Sequence, residues 1–458
     1  MKFDLVILGS GESGMGAAHL AASLRQKAFL SDQGAIPADK KVELKTLGVA
    51  FEEGGHSVAV FETRLIVKSP GIPDTAEIIQ LALQEGIEVI SELEYGYRYM
   101  PGDAQVIAIT GTNGKTTTTL LTYHLLKTAG FDVALAGNVG ISFAKRVAER
   151  PYQYFVIEVS SFQLDNIASF KPNISVLLNI TPDHLDRYNY QFEKYIASKF
   201  RITDNLTKSE TFIYCSDSLP VKQTVAKRKI EACLFAVSAS GKVEQGAYMD
   251  NEHLIFNFKI KDEGKHARVP LADIRLIGKH NMVNTMSAVL SALAFNVPLE
   301  SILKGLRSFE NAPHRLELVE TIEGVRYIND SKATNVDAVY YALEGIKEPI
   351  IWIAGGVDKG NEYEQIIDLV NQKVKGLICL GVDNTKLKET FGDLVDQIAE
   401  TQDLREAIEL GQKWASAGDV VLLSPACASF DLFKNYIDRG DQFRAGVKGL
   451  LNHKTAEL

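Results

Sequence analysis

Short runs of apolar residues recur along the chain, and each is followed by small or polar residues and then by a helical pattern. The first run, Leu5 to Leu8, leads into a glycine-rich turn and an alanine-rich helical stretch from Ala17 to Leu24. A second apolar run then ends at Asp32. A strand, glycine turn, helix, strand and acid in this order is typical of a Rossmann-type βαβ unit.

The pattern repeats in the middle of the chain. The strand-like run Val106 to Ile109 leads into a second glycine turn and an amphipathic helix, and further apolar runs end at Glu158 and Leu178. Strands that alternate with helical patterns favour a mostly parallel sheet. The polar stretch from Lys222 to Lys265 contains short alternating pieces, which predict added antiparallel strands.

A third set of apolar runs follows Ala312. Pro349 to Ala354, Gly376 to Leu380 and Val420 to Leu423 each precede small residues and a helical pattern. We therefore predict an α/β protein with a Rossmann-like N-terminal domain (1–95), a central P-loop ATPase-like domain with a mostly parallel sheet (96–311) and a Rossmann-like C-terminal domain (312–458).

Length and charge narrow the classes of function. The 458 residues suit about three domains of about 150 residues each. With 49 basic and 58 acidic side chains, the net charge of −9 disfavours nucleic-acid binding. No apolar stretch approaches the ~20 residues of a membrane span, and the four scattered cysteines indicate neither disulfides nor a zinc cluster. We expect a cytoplasmic protein that inserts in no membrane.

The strongest chemical signal is Gly111-Thr112-Asn113-Gly114-Lys115-Thr116, between a strand and a helix. A small-residue turn lets backbone N–H groups face a phosphate, and the helix start and the lysine add positive charge. The hydroxyl of Thr116 is placed to bind Mg²⁺. The loop departs from the general nucleotide-binding pattern, because Ile109 stands at the position of the first glycine. A turn that binds nothing is disfavoured, because lysine and hydroxyl stand where the chemistry needs them.

Two strand ends supply candidate metal ligands. Glu158 ends one strand and His184 follows the next, and groups beyond the carboxyl ends of strands converge in open α/β sheets. A carboxylate suits Mg²⁺, whereas imidazole is an unusual ligand for it. For His184, a helix-cap or core role and a functional role therefore remain open.

Seven motifs in order resemble the Mur ligase family of ATP-dependent peptidoglycan-precursor ligases. They are GTNGKTTT, EVSSFQL, NITPDHLDRY, GKHNMVN, APHRLE, NDSKATN and SPACASFDLFKN, which together span the whole chain. The last two resemble the branch that adds D-glutamate to UDP-N-acetylmuramoyl-L-alanine. The resemblance implies that the γ-phosphoryl of ATP activates a substrate carboxylate as an acyl phosphate, which the amine of D-glutamate then attacks.

The resemblance also implies a role for each matching residue. Catalysis would rest on Lys115, Glu158, His184 and Lys199. ATP would be bound by Gly111, Thr112, Asn113, Gly114, Lys115, Thr116, Thr117, Asn281, Asn284, Arg315 and Asp330. Two Mg²⁺ ions would be held by Thr116, Glu158, His184 and, if it is carbamylated, Lys199.

The UDP-sugar would contact Gly14, Asp32, Ser69, Gly71, Asn138, Ser160 and Gln163. D-Glutamate would contact Thr334, Lys359, Ser429 and Tyr436, with Lys332 as a further candidate for phosphate or carboxylate contact. Without the resemblance, Lys199 would be assigned to a solvated helix face and the first glycine turn to a dinucleotide site.

Three alternatives remain at this point. A sibling ligase of the same fold would add another amino acid or dipeptide. A nucleotide-gated regulator would use the loop without ligation. An NAD-dependent oxidoreductase would use the first glycine turn, but the chain offers no evident hydride-transfer site. We expect a monomer with small-molecule substrates and no nucleic-acid partner.

Overall fold

The computed structural model describes residues 1–260, 263–276, 278–358 and 360–455, with no side-chain description beyond residue 451. Three sheets, mostly parallel and interleaved with helices, confirm the predicted three-domain α/β fold. The chain divides into two compact units. The first comprises Met1–Arg275 and Met282–Phe309, and the second comprises Leu276–Asn281 and Glu310–Leu458.

The first sheet is parallel and has the strand order β3-β2-β1-β4-β5. The side chains of β1 are all buried, as expected for a strand with both faces covered. The strands are β1 (Leu5–Leu8), β2 (Ala28–Asp32), β3 (Ala50–Glu53), β4 (Leu65–Lys68) and β5 (Glu88–Ser91). The helices are α1 (Glu12–Ser23), α2 (Ala38–Thr46), α3 (Glu77–Gln84) and α4 (Glu92–Tyr99), so residue 95 lies inside a helix.

The central sheet has nine strands in the order β14-β13-β12-β11-β10-β9-β6-β8-β7. They are β6 (Gln105–Thr110), β7 (Val133–Gly137), β8 (Tyr154–Glu158), β9 (Ile174–Leu177), β10 (Thr211–Cys215), β11 (Cys233–Ser238), β12 (Gly246–Met249), β13 (His253–Ile260) and β14 (Glu263–Pro270). The helices of this stretch are α5 (Lys115–Thr128), α6 (Phe143–Glu149), α7 (Ser161–Leu164), α8 (Phe192–Phe200), α9 (Leu219–Lys227), α10 (Lys279–Ala294) and α11 (Leu299–Ser308).

The prediction for the polar stretch 222–265 was only partly right. Strands β12 to β14 pair antiparallel, as predicted, but β11 pairs parallel with both of its neighbours. The stretch also begins inside helix α9, which has Pro220 in its first turn. Alternation along one strand reports which face is buried and not the direction of its partner, so the sequence could not distinguish the two pairings.

The sheet of the second unit has six strands in the order β15-β16-β20-β17-β18-β19, parallel except for β15 against β16. They are β15 (Glu317–Ile322), β16 (Val325–Asn329), β17 (Ile350–Ala354), β18 (Val374–Leu380), β19 (Gln397–Thr401) and β20 (Val420–Leu423). The helices are α12 (Val336–Gly345), α13 (Ile367–Lys373), α14 (Thr385–Phe391), α15 (Leu404–Trp414) and α16 (Tyr436–Thr455). Over the part of the chain that is described, no helix has the length and apolar character needed to span a membrane.

Candidate active site

The glycine loop between β6 and α5 is fixed by the segment that follows β9. Asn179 accepts from the N–H of Asn113 through Oδ1 (2.8 Å) and donates through Nδ2 to the Asn113 carbonyl (3.0 Å). The Thr112 hydroxyl lies 3.2 Å from both the Thr181 carbonyl oxygen and the Tyr195 hydroxyl. Backbone and side-chain bonds of this kind hold the loop in one shape before any ligand arrives.

Gly114 occupies a position that other residues would not tolerate. Its φ of 85° lies in the left-handed region, and it is the last residue before α5 begins. A Cβ atom there would overlap the side-chain amide of Asn284. The predicted ATP residue Asn284 therefore packs directly against the loop. It is buried, as is Asn281 three residues earlier in α10.

Two lysines converge on one carbonyl of the loop. The Nζ atoms of Lys115 and Lys199 each donate to the Gly111 carbonyl oxygen at 2.8 Å, and Lys115 also donates to the Thr112 carbonyl oxygen at 2.6 Å. Lys199 is buried and lies over the Tyr195 ring. Burial, with the positive charge of Lys115 as the second cause, lowers the pKa of Lys199 well below its ordinary value. The solvated helix face suggested by the residue pattern alone is therefore wrong for Lys199.

Glu158 ends β8 and is buried, with 2% of the residue exposed. Its Oε1 accepts from Nδ2 of Asn138 at 2.8 Å, so two predicted site residues are in contact. Within the described residues, Oε2 is buried and has no hydrogen-bond partner. A buried carboxylate oxygen without a donor is costly unless a cation or another donor approaches it.

His184 lies in a different environment. Its backbone is in the left-handed region (φ 51°), just before a short 3₁₀ helix, Leu185–Tyr188, and its side chain is 52% exposed. The ring packs edge-on against Phe162, with centroids 5.3 Å apart. It is neither a core histidine nor a side-chain helix cap, which leaves the functional role predicted for it open.

Ser160 and Gln163 form a capping box at the start of α7. The N–H of Ser160 donates to Oε1 of Gln163 (2.9 Å), and the N–H of Gln163 donates to Oγ of Ser160 (3.3 Å). This local pairing fixes the turn that follows Glu158. The same two residues are predicted to contact the UDP-sugar.

A cavity of about 770 Å³ opens at the carboxyl ends of the first sheet. Of the residues predicted to contact the UDP-sugar, Asp32, Ser69 and Gly71 line it. Gly9 and Ser10 of the predicted glycine turn and His56, which were not among the predicted contacts, line it as well. Oδ2 of Asp32 accepts from the N–H of Ser10 at 2.5 Å, and Oδ1 accepts from the N–H of Gly34 at 2.8 Å. Burial raises the pKa of Asp32, but these hydrogen bonds outweigh it and hold the pKa below the ordinary value.

Gly14, also predicted to contact the UDP-sugar, does not line that cavity. It is buried in α1, and a Cβ atom there would lie 1.8 Å from the carbonyl oxygen of Gly9. The glycine therefore lets the helix pack closely on the turn that precedes it. The sequence pattern indicates a need for glycine at this position but does not say whether a ligand or the backbone approaches it.

In the second unit, Arg315 stands between two non-glycine residues in the left-handed region, His314 (φ 65°) and Leu316 (φ 45°). The N–H of Leu316 donates to Oδ1 of Asp330 (3.2 Å), and the Ser424 hydroxyl donates to Oδ2 (2.9 Å). Burial raises the pKa of the Asp330 carboxyl to about 7. Asp330 thus holds the backbone that carries Arg315.

The residues predicted to bind D-glutamate follow strands β16, β17 and β20. Ser429 is buried, Thr334 is half-buried, and Nζ of Lys332 lies 3.8 Å from the centroid of the Tyr436 ring. Lys359 lies outside the described residues. The sequence did not single out Arg439, a buried arginine that donates through Nε to the Ser331 hydroxyl (3.0 Å) and through Nη2 to the Ser331 carbonyl oxygen (2.9 Å).

Comparison with known proteins matches successive parts of the chain to domains of Mur ligases. The family description "MurD N-terminal domain" matches residues 5–78, "Mur ligase middle domain" matches 109–292, and "Mur ligase, glutamate ligase domain" matches 314–427. A UDP-N-acetylmuramoylalanine--D-glutamate ligase of Christiangramia forsetii is 46% identical over 98% of this chain and 100% of its own. One of Porphyromonas gingivalis is 48% identical over 98% and 99%.

Solved structures share the fold at low identity. The UDP-N-acetylmuramate-alanine ligase MurC of Thermotoga maritima has a TM-score of 0.60 at 17% identity, covering 98% of this chain and 99% of its own. The MurF ligase of the same organism, in complex with ADP, has a TM-score of 0.59 at 14% identity, covering 92% and 95%. At such identities the likeness concerns the fold alone.

Proposed function

The chain belongs to the Mur ligase family, and we propose that it joins D-glutamate to UDP-N-acetylmuramoyl-L-alanine in peptidoglycan precursor synthesis, converting ATP to ADP and phosphate. The observation that carries this proposal is the identity of 46–48% with D-glutamate-adding ligases over essentially whole chains. The arrangement of lysines and of Glu158 around the loop at Gly111 suits phosphoryl transfer and supports it.

We assign the ATP phosphates to the loop 111–116. Backbone N–H groups at the start of α5 and the Lys115 ammonium supply positive charge where the β- and γ-phosphates would lie. The contact of Asn284 with Gly114 supports placing the rest of the nucleotide toward α10. The first step transfers the γ-phosphoryl to the carboxylate of the L-alanyl group, because a free carboxylate is a poor electrophile. The amine of D-glutamate then displaces phosphate and forms the amide.

The donor set suits Mg²⁺. Thr116 and Glu158 offer the oxygen ligands that this ion prefers, and Oε2 of Glu158 is a buried acceptor to which no described donor is bound. Among the described residues, no three His, Cys, Asp or Glu side chains cluster in a metal-binding arrangement. We propose Thr116 for one ion, and Glu158 and His184 for a second. Bound ions would neutralise the negative charges of the Glu158 carboxylate, the substrate carboxylate and the ATP phosphates, which lie together in the proposed site.

We propose that Lys199 is carbamylated. Carbamate formation needs a neutral amine to attack CO₂, with loss of one proton, and the lowered pKa of Lys199 favours that neutral form. The product would be an anion close to the loop and would add a carboxylate-like oxygen to the donor set of the second ion. A mass increase of the intact protein by one CO₂, lost on mild acid treatment, would test this assignment.

D-Glutamate is assigned to the second unit, where Thr334, Ser429 and Tyr436 follow the strand ends and Lys359 supplies a cation. A dicarboxylate needs such donors. Lys359→Ala is expected to raise the KM for D-glutamate about tenfold or more, since hydrogen bonds to charged groups are typically worth 1.5–3 kcal/mol. Steady-state kinetics with ATP and D-glutamate varied separately would measure this, and an equal loss of ATP affinity would contradict the assignment.

Phosphate release in the presence of ATP, Mg²⁺ and UDP-N-acetylmuramoyl-L-alanine tests the function itself. D-Glutamate, L-glutamate, L-alanine and a diamino acid would be compared, with product masses recorded. Release that depends on D-glutamate, with a product heavier by one glutamyl residue, is the expected result. Dependence on another amino acid would assign the enzyme to a sibling branch.

Three further assignments belong to the same proposal. They are the domain boundaries near residues 95 and 311, a monomeric state, and a cytoplasmic location, the last because ATP is supplied in that compartment. Light scattering on the purified protein would test the monomer.

A further inference from the structure

Arg187 lies where two parts of the first unit meet. It belongs to the 3₁₀ helix Leu185–Tyr188, which directly follows His184 in the segment after β9. Its Nη1 donates to the carbonyl oxygen of Gly71 (2.9 Å), and its Nη2 donates to the carbonyl oxygen of Pro70 (3.1 Å). Both carbonyls belong to the turn after β4, which lines the cavity of the first sheet through Ser69 and Gly71.

The same guanidinium also meets a third segment. It lies over the ring of Phe162, 4.4 Å from the centroid, in a cation–π arrangement. Phe162 belongs to α7, between Ser160 and Gln163, and its ring also contacts His184. The Arg187 side chain therefore connects its own 3₁₀ helix to the turn at Pro70-Gly71 and to α7. Each of these three segments contains or adjoins a residue assigned to the site.

The contact is not required to hold the first unit together. Both oxygens of Glu94, in α4, accept N–H groups from residues 168–170 of the central part, and Nδ2 of Asn166 donates to Oδ1 of Asp74 (3.2 Å). Arg187 itself is half-buried. Its replacement should leave the fold intact and release only the local alignment of the three segments.

We propose that Arg187 is a positioning residue that fixes the turn Ser69–Gly71 of the UDP-sugar cavity relative to the loop carrying His184. This inference rests on the proposed function. It adds that one side chain connects the UDP-sugar cavity to the loop carrying His184. The planar guanidinium donates to two successive carbonyls while its flat face lies on the Phe162 ring, and a lysine ammonium, a compact charge without a plane, cannot hold both contacts in this geometry. The contact therefore depends on the planar shape of the guanidinium as well as on its charge.

Arg187→Lys separates the two roles because it keeps the charge and loses the fork. We expect its KM for UDP-N-acetylmuramoyl-L-alanine to rise about tenfold and its kcat to fall several-fold, with the dissociation constant for ADP within twofold of wild type. Arg146→Lys is the matched control. Arg146 also donates to a backbone carbonyl on the central sheet, that of Leu135, but it is placed in no proposed binding site.

Phe162→Leu tests the contact between the Arg187 guanidinium and the Phe162 ring. It keeps an apolar side chain and removes the ring beneath the guanidinium, so we expect the same changes as in Arg187→Lys at smaller size. Combining both substitutions should cost less than the product of the separate effects, because each alone already disrupts the contact between the guanidinium and the ring. Phe162→Tyr retains the ring face, so its KM and kcat should equal those of the wild type.

Two results would overturn the inference. Wild-type KM and kcat in Arg187→Lys would show that charge suffices, and parallel losses of UDP-substrate affinity, ADP affinity and melting temperature would show a general structural role. If the wild-type protein forms no D-glutamyl product, the proposed function fails. The inference is then judged by calorimetric titration of UDP and ADP, where loss for UDP alone still supports it.

Discussion

Two turns of this molecule share a design, in which a buried strand runs into a glycine-rich turn and then a helix. Around the first turn, a carboxylate of the neighbouring strand, Asp32, accepts the N–H of Ser10. Around the second, a neutral amide, Asn179, accepts the N–H of Asn113, and two lysines lie on the Gly111 carbonyl. Glycine spacing predicts the turn in both cases, whereas the neighbouring polar groups decide which ligand it suits.

The charged groups beside the two turns differ. The first turn has the Asp32 carboxylate beside it and the Lys40 ammonium on its Ser10 carbonyl oxygen (2.7 Å), so the two charges offset each other. The Lys115 ammonium donates to two carbonyls of the second turn and favours the triphosphate of ATP there. This agrees with the assignment of ATP to the loop at Gly111 and of the uridine end of the other substrate to the first sheet. The glycine pattern of the first domain alone suggests a dinucleotide site, whereas residues 5–78 match the description of a MurD N-terminal domain.

The largest expected effect comes from removing the lysine that distinguishes the second turn. Lys115→Ala should lower phosphate release by about 10³-fold or more, since it removes a charge that stabilises the transferring phosphoryl group. Binding of the UDP-substrate, measured by calorimetry without ATP, should remain within twofold of wild type. An equal loss of UDP-substrate binding would show that the two turns do not act on separate ligands.

A smaller effect is expected from adding one methyl group to each turn. Gly14→Ala brings a Cβ against the Gly9 carbonyl, and Gly114→Ala places one against Asn284 in a left-handed backbone. Each should cost about 1–3 kcal/mol of unfolding free energy. Gly14→Ala should weaken UDP binding and Gly114→Ala should weaken ADP binding, both measured by titration. The reverse pattern would contradict the comparison.

The smallest effect concerns acid stability and the carboxylate of the first turn. The pKa of Asp32 is lower in the folded protein than in the unfolded chain, so the folded state binds this proton less readily. Its contribution to stability is present above the ordinary pKa of about 3.9 and is lost as the pH falls through the lower folded value. Asp32→Asn should therefore show a weaker fall of melting temperature between about pH 5 and pH 2. An unchanged acid profile would show that the hydrogen bonds to Ser10 and Gly34 add no net stability.

Much of the fold could be read from apolar runs. Val420–Leu423 has the predicted bounds and β8 ends at Glu158 as predicted, because buried parallel strands are apolar throughout and end sharply at polar residues. The predicted helix beginning at Ala17 starts earlier, at Glu12, because the glycines of the turn also form part of α1. Strand direction in the stretch 222–265 was not readable, since pairing depends on the connection between strands and not on the pattern within one.

The candidate site divides in the same way. The residues proposed to bind the ATP phosphates at 111–116 are consecutive, so the sequence predicts this loop directly. The burial of Lys199, the orphaned oxygen of Glu158 and the fork of Arg187 each depend on segments tens to more than a hundred residues apart, and no local pattern reports them.

The sequence by itself determined the alternating α/β order, the glycine loop 111–116 between strand and helix and, through seven ordered motifs, the family. Those features are local, because strand, turn and helix preferences are set by neighbouring residues and by the conformational freedom of glycine. The tertiary structure decided which groups are buried, and so which amine has a lowered pKa and which carboxylate oxygen lacks a donor among the described residues. Such properties arise only when distant segments exclude solvent together, because burial and charge proximity are what shift a pKa.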